Sequence, residues 1–231
     1  MINKLKAVIL AGGFGKRLKP LTDNRPKPMI EILDKPILEW QIKHLAKNNI
    51  KEIIICVGYL KEQIIDYISS GNKFDVHVAY TVEDEPLGTG GALKNTYSLL
   101  KDEKNGFFMI NGDILTNIDF LGLVNGNNHS KLALVPLKSP YGIVEFDENL
   151  NVTGFEEKPN IAGKWINAGI YFFNQEVFDY LPESGNIETT ALPAMAKEQK
   201  LKAKKFENSF WKSIDSHKDI EESSKELSKN S

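Results

Sequence analysis

Residues 6–18 read KAVILAGGFGKRL, in which an apolar run ends at Ala11 and a glycine-rich loop with two cations follows. The apolar run predicts a buried β-strand. Glycines in the loop allow backbone N–H groups to approach phosphate oxygens closely, and the cations match the phosphate charge. The stretch therefore predicts a strand that leads into a nucleotide-binding site.

Two common nucleotide motifs do not fit this loop. A P-loop requires a hydroxyl residue after its lysine, whereas Lys16 is followed by Arg17. The dinucleotide fingerprint requires a third glycine, and Leu18 stands at that position after Gly13-Phe14-Gly15. A nicotinamide-dependent oxidoreductase is therefore a weaker alternative, and a glycine turn without a ligand is the structural alternative.

Strand and helix patterns alternate through the first half of the chain. Apolar runs occupy residues 7–11, 53–57, 76–80 and 107–110, and helical patterns occupy residues 37–47, 61–68, 90–100 and 115–125. This alternation predicts an α/β fold with a Rossmann-like, mostly parallel sheet flanked by helices. Ligands of such sheets bind at the carboxyl ends of the strands. Gly12, Gly88 and Asp113 follow or lie near strand ends, so we expect them to share one crevice.

The pattern changes after about residue 130. After a strand pattern at 131–137, a hairpin pattern at 143–146 and 152–157 and a strand pattern at 166–173 predict a smaller β-rich subregion. Helices near 176–181 and 187–198, a strand at 202–206 and a polar helix from about residue 216 follow, and residues 222–231 are expected to fray. Without a long linker, residues 1–231 are predicted to form a single domain.

Composition excludes several function classes. The chain has 29 Lys and Arg against 31 Asp and Glu, interspersed without a basic stripe, so we expect no nucleic-acid partner. The single Cys56 lies in an apolar run, which favours a core thiol and fits a reducing cytoplasm. No apolar stretch approaches the ~20 residues of a membrane span, and no histidine spacing indicates zinc. The sequence leaves open whether the chain forms a homo-oligomer.

Four motifs occur in an order typical of one family. They are the glycine loop at 12–18, Pro-Lys-Pro at 26–28, Leu-Gly-Thr-Gly-Gly-Ala-Leu at 87–93 and Asn-Gly-Asp at 111–113. The chain resembles the sugar-1-phosphate nucleotidyltransferases over residues 6–222. This resemblance implies that a nucleoside triphosphate and a sugar 1-phosphate are the substrates and that a nucleotide sugar and pyrophosphate are the products.

The resemblance implies a nucleotide-binding half of about residues 1–130. Arg17 and Lys27 are its expected catalytic residues, because an arginine fork suits phosphate oxygens and a lysine can follow charge that develops on pyrophosphate. Gly88 is expected close to the base. The nucleotide-binding residues are Leu10, Ala11, Gly12, Gly13, Gly15, Arg17, Lys27, Gly88, Thr89 and Asp113.

Asp113 and Asp215 are the expected ligands of Mg²⁺. A carboxylate at a strand end, aimed into a phosphate-filled crevice, is the usual magnesium anchor. Many family members have the second carboxylate two residues after the tryptophan, where this chain has Ser213; Asp215 stands four after Trp211 and resembles the glucose-1-phosphate cytidylyltransferases. The 87–93 loop instead resembles guanylyl- and uridylyltransferases, so the base stays open. The alternative role for Asp215 is an N-cap, which Ser216 could also fill.

The second half, about residues 131–231, is expected to bind the sugar phosphate. The resemblance assigns sugar hydroxyls to Glu157 and the phosphate to Lys158, and it adds Gly142, Asn167 and Gly169 to the sugar-phosphate site. For Gly142, a turn role is the alternative. Two alternatives to the function remain: a non-sugar acceptor such as phosphocholine, and a non-catalytic nucleotide-sensing subunit of the same fold.

Overall fold

The computed structural model describes residues 5–124 and 129–229. Its strands are β1 (Lys6–Ala11), β2 (Glu31–Ile32), β3 (Lys35–Pro36), β4 (Glu52–Val57), β5 (His77–Val82), β6 (Phe107–Asn111), β7 (Ile114–Thr116), β8 (Ser130–Lys138), β9 (Ile143–Phe146), β10 (Val152–Glu156), β11 (Asn160–Phe173), β12 (Leu201–Lys205) and β13 (Trp211–Ser213). Its α-helices are α1 (Ile37–Lys47), α2 (Lys61–Ile68), α3 (Gly88–Lys94), α4 (Tyr97–Leu100), α5 (Phe120–Val124), α6 (Ala191–Lys197) and α7 (His217–Lys229).

A seven-stranded sheet forms the centre of the molecule, in the order β12-β8-β11-β6-β1-β4-β5. β1 pairs in parallel with β4 and β6, and only β11 runs antiparallel to its neighbours in this sheet. Ala7, Val8 and Ile9 are all fully buried, as expected for a strand covered by helices on both faces. The predicted α/β fold with a mostly parallel sheet is confirmed.

Alternate residues of β1 face opposite sides of the sheet. Ala7 and Ile9 belong to a large apolar cluster on one face, and Val8 packs with Met109 and the thiol-bearing Cys56 on the other. Burial raises the pKa of Cys56 to about 12, so the predicted core thiol is confirmed. The two faces fix the register of the central strands.

The smaller β-rich subregion is reduced to one hairpin. The prediction was wrong in placing the 166–173 segment in this subregion, because β11 belongs to the central sheet. Residues 168–173 of β11 are buried, and residues 170–173 pair with β6, which explains why that segment joins the core. β9 and β10 pair with each other in a separate two-stranded sheet.

Three local predictions also need correction. The helix expected at 115–125 begins only at Phe120, because Ile114–Thr116 pairs with Trp211–Ser213 as β7 with β13, a long-range pairing that has no local signal; residue 125 itself is outside the described residues. The helix expected at 90–100 is divided into α3 and α4.

The expected fraying from residue 222 onwards was also wrong, since α7 continues to Lys229. Its side chains Ile220 and Leu227 pack against an apolar cluster that contains Ile214. Residues 230 and 231 are outside the described residues. None of the helices within the described ranges combines the length and the apolar content that a bilayer crossing requires.

Candidate active site

A cavity of about 400 Å³ opens at the carboxyl ends of β1 and β6. Its volume lies within the ~300–1,000 Å³ range of small-molecule sites. All ten predicted nucleotide-binding residues line it, namely Leu10, Ala11, Gly12, Gly13, Gly15, Arg17, Lys27, Gly88, Thr89 and Asp113. The crevice expected from the strand ends is therefore present, and we call it the first cavity.

The glycine loop packs directly against the stem of Lys27. Gly15 has φ +62°, and a Cβ there would lie 2.9 Å from the Cβ of Lys27 and 2.9 Å from Cγ2 of Thr22. A larger residue at position 15 would therefore be strained in its backbone and would also displace Lys27. This contact places the lysine against the loop although the two are separated in sequence.

Lys27 lies between two carboxylates in the first cavity. Its Nζ is 2.6 Å from Oδ2 of Asp113 and 2.8 Å from Oδ1 of Asp215. Nη2 of Arg17 is 2.9 Å from the same Oδ1 of Asp215. The structure therefore brings four predicted residues together, of which Lys27 and Asp215 are 188 positions apart in sequence.

A small buried apolar cluster packs beside the segments that carry these four residues. Leu18, Ile30, Leu115 and Ile214 all belong to it, and each is one to three positions from a charged residue of the site. These apolar side chains are almost fully buried, so they restrict the backbones that carry the charges. The charged side chains can thus converge without any direct link in sequence.

Asp215 is ionised in this environment. Burial alone would raise the pKa of Asp215, but the hydrogen bond and charge of Lys27, a hydrogen bond from Ser213 and the charge of Arg17 together lower it below its ordinary value. The Ser213 hydroxyl donates to Oδ2 over 2.9 Å. The capping alternative falls instead to Ser216, whose Oγ accepts from the N–H of Asp219.

The donor set at Asp113 and Asp215 fits a divalent cation. Both carboxylates already reach one cationic nitrogen, Nζ of Lys27, so they converge on a common position for positive charge. Within residues 5–124 and 129–229 there is no group of three or more His, Cys, Asp or Glu that could hold a metal. An ion held by two carboxylates would take its remaining ligands from phosphates and water, as Mg²⁺ commonly does.

The opposite end of the first cavity is built on the backbone of Gly88. This residue has φ +72°, and a Cβ there would approach the carbonyl oxygen of Gly185 to 2.7 Å. The Thr89 hydroxyl donates to Glu188 over 2.7 Å and accepts from the N–H of Ile187 over 2.9 Å. The loop that begins at Gly88 is thus fixed by contacts with the 185–188 segment.

Sequence reasoning missed Glu83, a buried residue in the wall of the first cavity. Its Oε2 accepts a hydrogen bond of 3.0 Å from the N–H of Leu87, and no hydrogen bond within the described residues reaches Oε1. Burial raises the pKa of Glu83, and the Leu87 N–H partly offsets this effect. Its signal in the sequence is an acidic residue directly after β5 and before the glycine-rich 87–93 loop.

Asn111 was also missed as a member of the site. It lines the first cavity, and its buried Oδ1 accepts no hydrogen bond within the described ranges. A Cβ at Gly169, which has φ +67°, would lie 2.9 Å from Nδ2 of Asn111. Gly169 is therefore close to the first cavity without lining it.

The other predicted sugar-phosphate residues lie outside the first cavity. Lys158 lines a second cavity of about 750 Å³ between β8, β13 and α7. Gly142 and Glu157 are neighbours, since a Cβ at Gly142 would lie 3.0 Å from Oε2 of Glu157. The side chain of Asn167 binds the N–H of Gly169 over 3.0 Å. Gly142, Glu157 and Lys158 therefore lie at the base of the β9–β10 hairpin. Asn167 and Gly169 lie at the irregular part of β11, where its pairing with β8 shifts in register.

Comparison with known proteins identifies the family. Residues 6–230 match the model of the Nucleotidyl transferase family. Mannose-1-phosphate guanylyltransferase catalytic subunit beta of Drosophila pseudoobscura pseudoobscura is 37% identical over 94% of this chain and 61% of its own length. Mannose-1-phosphate guanyltransferase of Saccharomyces cerevisiae is 34% identical over 94% of this chain and 63% of its own length. The chain thus spans about three fifths of the length of these curated relatives.

A solved structure covers almost the whole chain. The crystal structure of HddC from Yersinia pseudotuberculosis superposes with a TM-score of 0.76 at 28% identity, over 96% of this chain and 99% of that chain. A further structure of HddC is complexed with GMP-PN. The family model covers nearly every residue, and the superposition supports the same fold. The chain belongs to the nucleotidyl transferase family.

Proposed function

We propose that this chain condenses a nucleoside triphosphate with a sugar 1-phosphate and releases a nucleotide sugar and pyrophosphate. The observation that carries the proposal is the cluster of Arg17, Lys27, Asp113 and Asp215 beside the glycine loop. Cations and carboxylates at one end of a cavity of this size match a bound triphosphate and its metal. The curated relatives are named as guanylyltransferases of mannose 1-phosphate, which supports the same reaction class.

The proposed reaction needs no protein nucleophile. A phosphate oxygen of the sugar 1-phosphate attacks the α-phosphorus, a new P–O bond forms, and the bond from the α-phosphorus to the bridging oxygen breaks. The electron pair of that bond leaves with pyrophosphate. Arg17 and Lys27 bind the phosphate oxygens on which charge develops, so they stabilise the transition state more than the ground state.

Mg²⁺ is the proposed cofactor, with Asp113 and Asp215 as its protein ligands. When bound, it neutralises phosphate charge and polarises the α-phosphoryl group. Lys27 holds the two carboxylates together in the arrangement described above. With Asp113 and Asp215 as ligands of the ion, the ammonium group of Lys27 would be free to bind the triphosphate. Lys27 would thus serve first as a place-holder and then as a phosphate ligand.

Guanine is the proposed base, with Glu83 as its acceptor. Guanine presents two adjacent donors, the N1–H and the N2 amino group, and an ionised carboxylate offers two acceptor oxygens. Uracil, thymine and cytosine lack such a pair of donors. The position of Glu83 in the cavity wall supports this assignment, as do the names of the guanylyltransferase relatives and the GMP-PN complex of HddC.

The acceptor is proposed to bind in the second half of the chain. In this division, about residues 1–130 bind the nucleotide and about residues 131–231 bind the sugar phosphate. Gly142, Glu157, Lys158, Asn167 and Gly169 are the proposed sugar-phosphate residues. The presence of Lys158 in a second cavity, separate from the glycine loop, supports two half-sites for two substrates.

Pyrophosphate release tests the proposal directly. The purified protein is mixed with Mg²⁺, each of four triphosphates and a panel of acceptors that contains mannose 1-phosphate, other sugar 1-phosphates and phosphocholine. We expect release with GTP and a sugar 1-phosphate. Pyrophosphate release only with phosphocholine would mean that the acceptor is a non-sugar phosphate. Nucleotide binding without pyrophosphate release under any condition would indicate a non-catalytic sensing subunit.

A further inference from the structure

Four lysines from three segments line the second cavity, namely Lys138, Lys158, Lys212 and Lys218. Lys158 precedes β11, Lys218 lies in the first turn of α7, and Lys212 is in β13. Trp211 forms part of the wall and is anchored by a 2.7 Å hydrogen bond from its Nε1 to the carbonyl of Ala168. An aromatic wall beside lysines is a suitable surface for a sugar with a phosphate group.

The lysines differ in how well their charges are neutralised. Nζ of Lys212 lies 2.9 Å from Asp219 and 2.6 Å from Glu222, so this ammonium group is already held by two carboxylates. Lys218 is only 3.9 Å from Glu222, and Lys158 is only 3.7 Å from Glu157. These looser pairs leave the charges of Lys158 and Lys218 available for another anion.

Lys158 and Lys218 line the same wall region of the second cavity. The close approach and positive charge of Lys158 lower the pKa of Lys218, against a smaller opposing effect of Glu222. Lys158 also has φ +50°, a conformation that residues with a side chain rarely adopt, so the surrounding loop fixes its position. Two like charges held together in this way are stabilised by an anion between them.

The first turn of α7 connects the second cavity to the first. Asp215 is three residues before Lys218, and its backbone N–H donates a 3.1 Å hydrogen bond to Oδ2 of Asp219. The other oxygen of Asp219 holds Lys212. An anion bound at Lys218 therefore lies close to Asp215, one of the two carboxylates that contact Lys27.

We infer that Lys218 is a second cation for the acceptor phosphate and that it clamps this phosphate together with Lys158. The inference rests on the proposed function for the identity of the acceptor, a sugar 1-phosphate. One phosphate bridges the two ammonium groups, and the Trp211 side of the cavity accommodates the sugar. Lys218 thereby determines affinity for the acceptor and contributes little to binding of the triphosphate.

Kinetics of Lys218→Ala test this inference against Lys225→Ala. Lys225 is on the same helix, two turns further on, and exposed, so its replacement makes the same change in net charge outside both cavities. We expect Lys218→Ala to raise the KM for the sugar 1-phosphate at least tenfold, with the KM for the triphosphate within about twofold of wild type. Lys218→Arg should recover part of the affinity, and Lys225→Ala should match wild type.

Two kinetic outcomes would overturn the inference. One is an unchanged acceptor KM in folded Lys218→Ala. The other is an equal rise in the KM of both substrates, which would mean that Lys218 only supports the start of α7. Circular dichroism and thermal melts establish that the variants fold.

A binding experiment separates this inference from the proposed function. Inorganic phosphate is titrated calorimetrically into the wild type, Lys218→Ala and Lys225→Ala in the absence of nucleotide. We expect weaker phosphate binding only in Lys218→Ala, whether or not pyrophosphate release is ever detected. Identical isotherms for all three proteins would remove the phosphate clamp, even if the condensation activity is present.

Discussion

The two cavities are built in contrasting ways. The first is lined by glycine backbone and by a charged cluster in which the side chain of Lys27 is only 12% exposed. The second is lined by long side chains from α7 and from the segments beside the hairpin, with several carboxylates among the lysines. The hairpin itself keeps one apolar face exposed, formed by Val144, Phe146, Val152 and Phe155.

This contrast indicates a division of labour. Backbone and buried apolar contacts position the first cavity, so its geometry is largely preorganised for the proposed triphosphate. Flexible side chains position the second cavity, so it can adjust to its occupant. We therefore expect changes in the first cavity to lower turnover and changes in the second to alter acceptor affinity.

The largest effect is expected at Asp215. Asp215→Asn keeps the size of the side chain but removes one of the two proposed anionic ligands of Mg²⁺, so turnover should fall at least ~100-fold. The magnesium concentration for half-maximal activity should rise. Ser213→Ala is the control, since it removes only a hydrogen bond to the same carboxylate. Full activity of Asp215→Asn at ordinary magnesium would mean that Asp113 and substrate phosphates hold the ion alone.

A smaller effect on turnover is expected at Lys27. Lys27→Met should lower kcat at least ~10-fold, about 1.4 kcal/mol of transition-state stabilisation. The same variant leaves two carboxylates without their shared cation, so nucleotide-free protein should bind Mn²⁺ more tightly than wild type, measured by electron paramagnetic resonance. Lys51→Met, which breaks only an exposed pair with Asp75, is the control. Unchanged Mn²⁺ affinity in Lys27→Met would rule out the place-holder role.

Base selection should change at Glu83. Glu83→Gln replaces one acceptor with a donor, so it should weaken GTP about tenfold in kcat/KM and favour UTP or dTTP, whose N3–H and O4 match an amide. The ratio of kcat/KM for GTP and UTP measures the change. Asn186→Ala, at the same cavity but without a carboxylate, is a comparison variant. An unaltered ratio in Glu83→Gln would exclude this residue from base selection.

The smallest effect is expected in the pH dependence of nucleotide affinity. Because the pKa of Glu83 is raised above its ordinary value of 4.5, this carboxyl takes up its proton at a higher pH than an exposed glutamate. The KM for GTP should therefore rise as pH falls from 7 to 5, and Glu83→Gln should remove this dependence. Parallel profiles for both proteins would assign the titration to another group.

Glu83 and Asp215 should change the free energy of unfolding in opposite directions as pH falls. Ionised Glu83 costs folding free energy, so its contribution improves as pH falls through its raised pKa. Asp215 has a lowered pKa, so its stabilising contribution is present above the unfolded value, near ~4, and is lost only as pH falls through the lower folded pKa. Thermal melts of Glu83→Gln and Asp215→Asn against pH measure the two slopes.

Local chemistry made much of the first cavity predictable from sequence. The apolar run before Gly12 and the strand before Asp113 each end where a parallel sheet collects its ligands, and all ten positions predicted to bind nucleotide line the first cavity. Glu83 escaped because it belongs to none of the four motifs, and Asn111 escaped because only Asp113 of the Asn-Gly-Asp motif was given a role. Their roles depend on burial in the cavity wall, and burial of a polar residue has no local signal.

Local periodicity and backbone freedom are properties of short segments, so the alternating α/β pattern, the glycine loop and the residue types that could bind phosphate could be predicted from the sequence. Tertiary structure alone decided that β7 pairs with β13, that α7 is held to Lys229, and that Lys27 lies between Asp113 and Asp215. Those arrangements depend on contacts between distant segments. Packing of the apolar clusters makes such contacts favourable, and no short stretch of sequence contains that information.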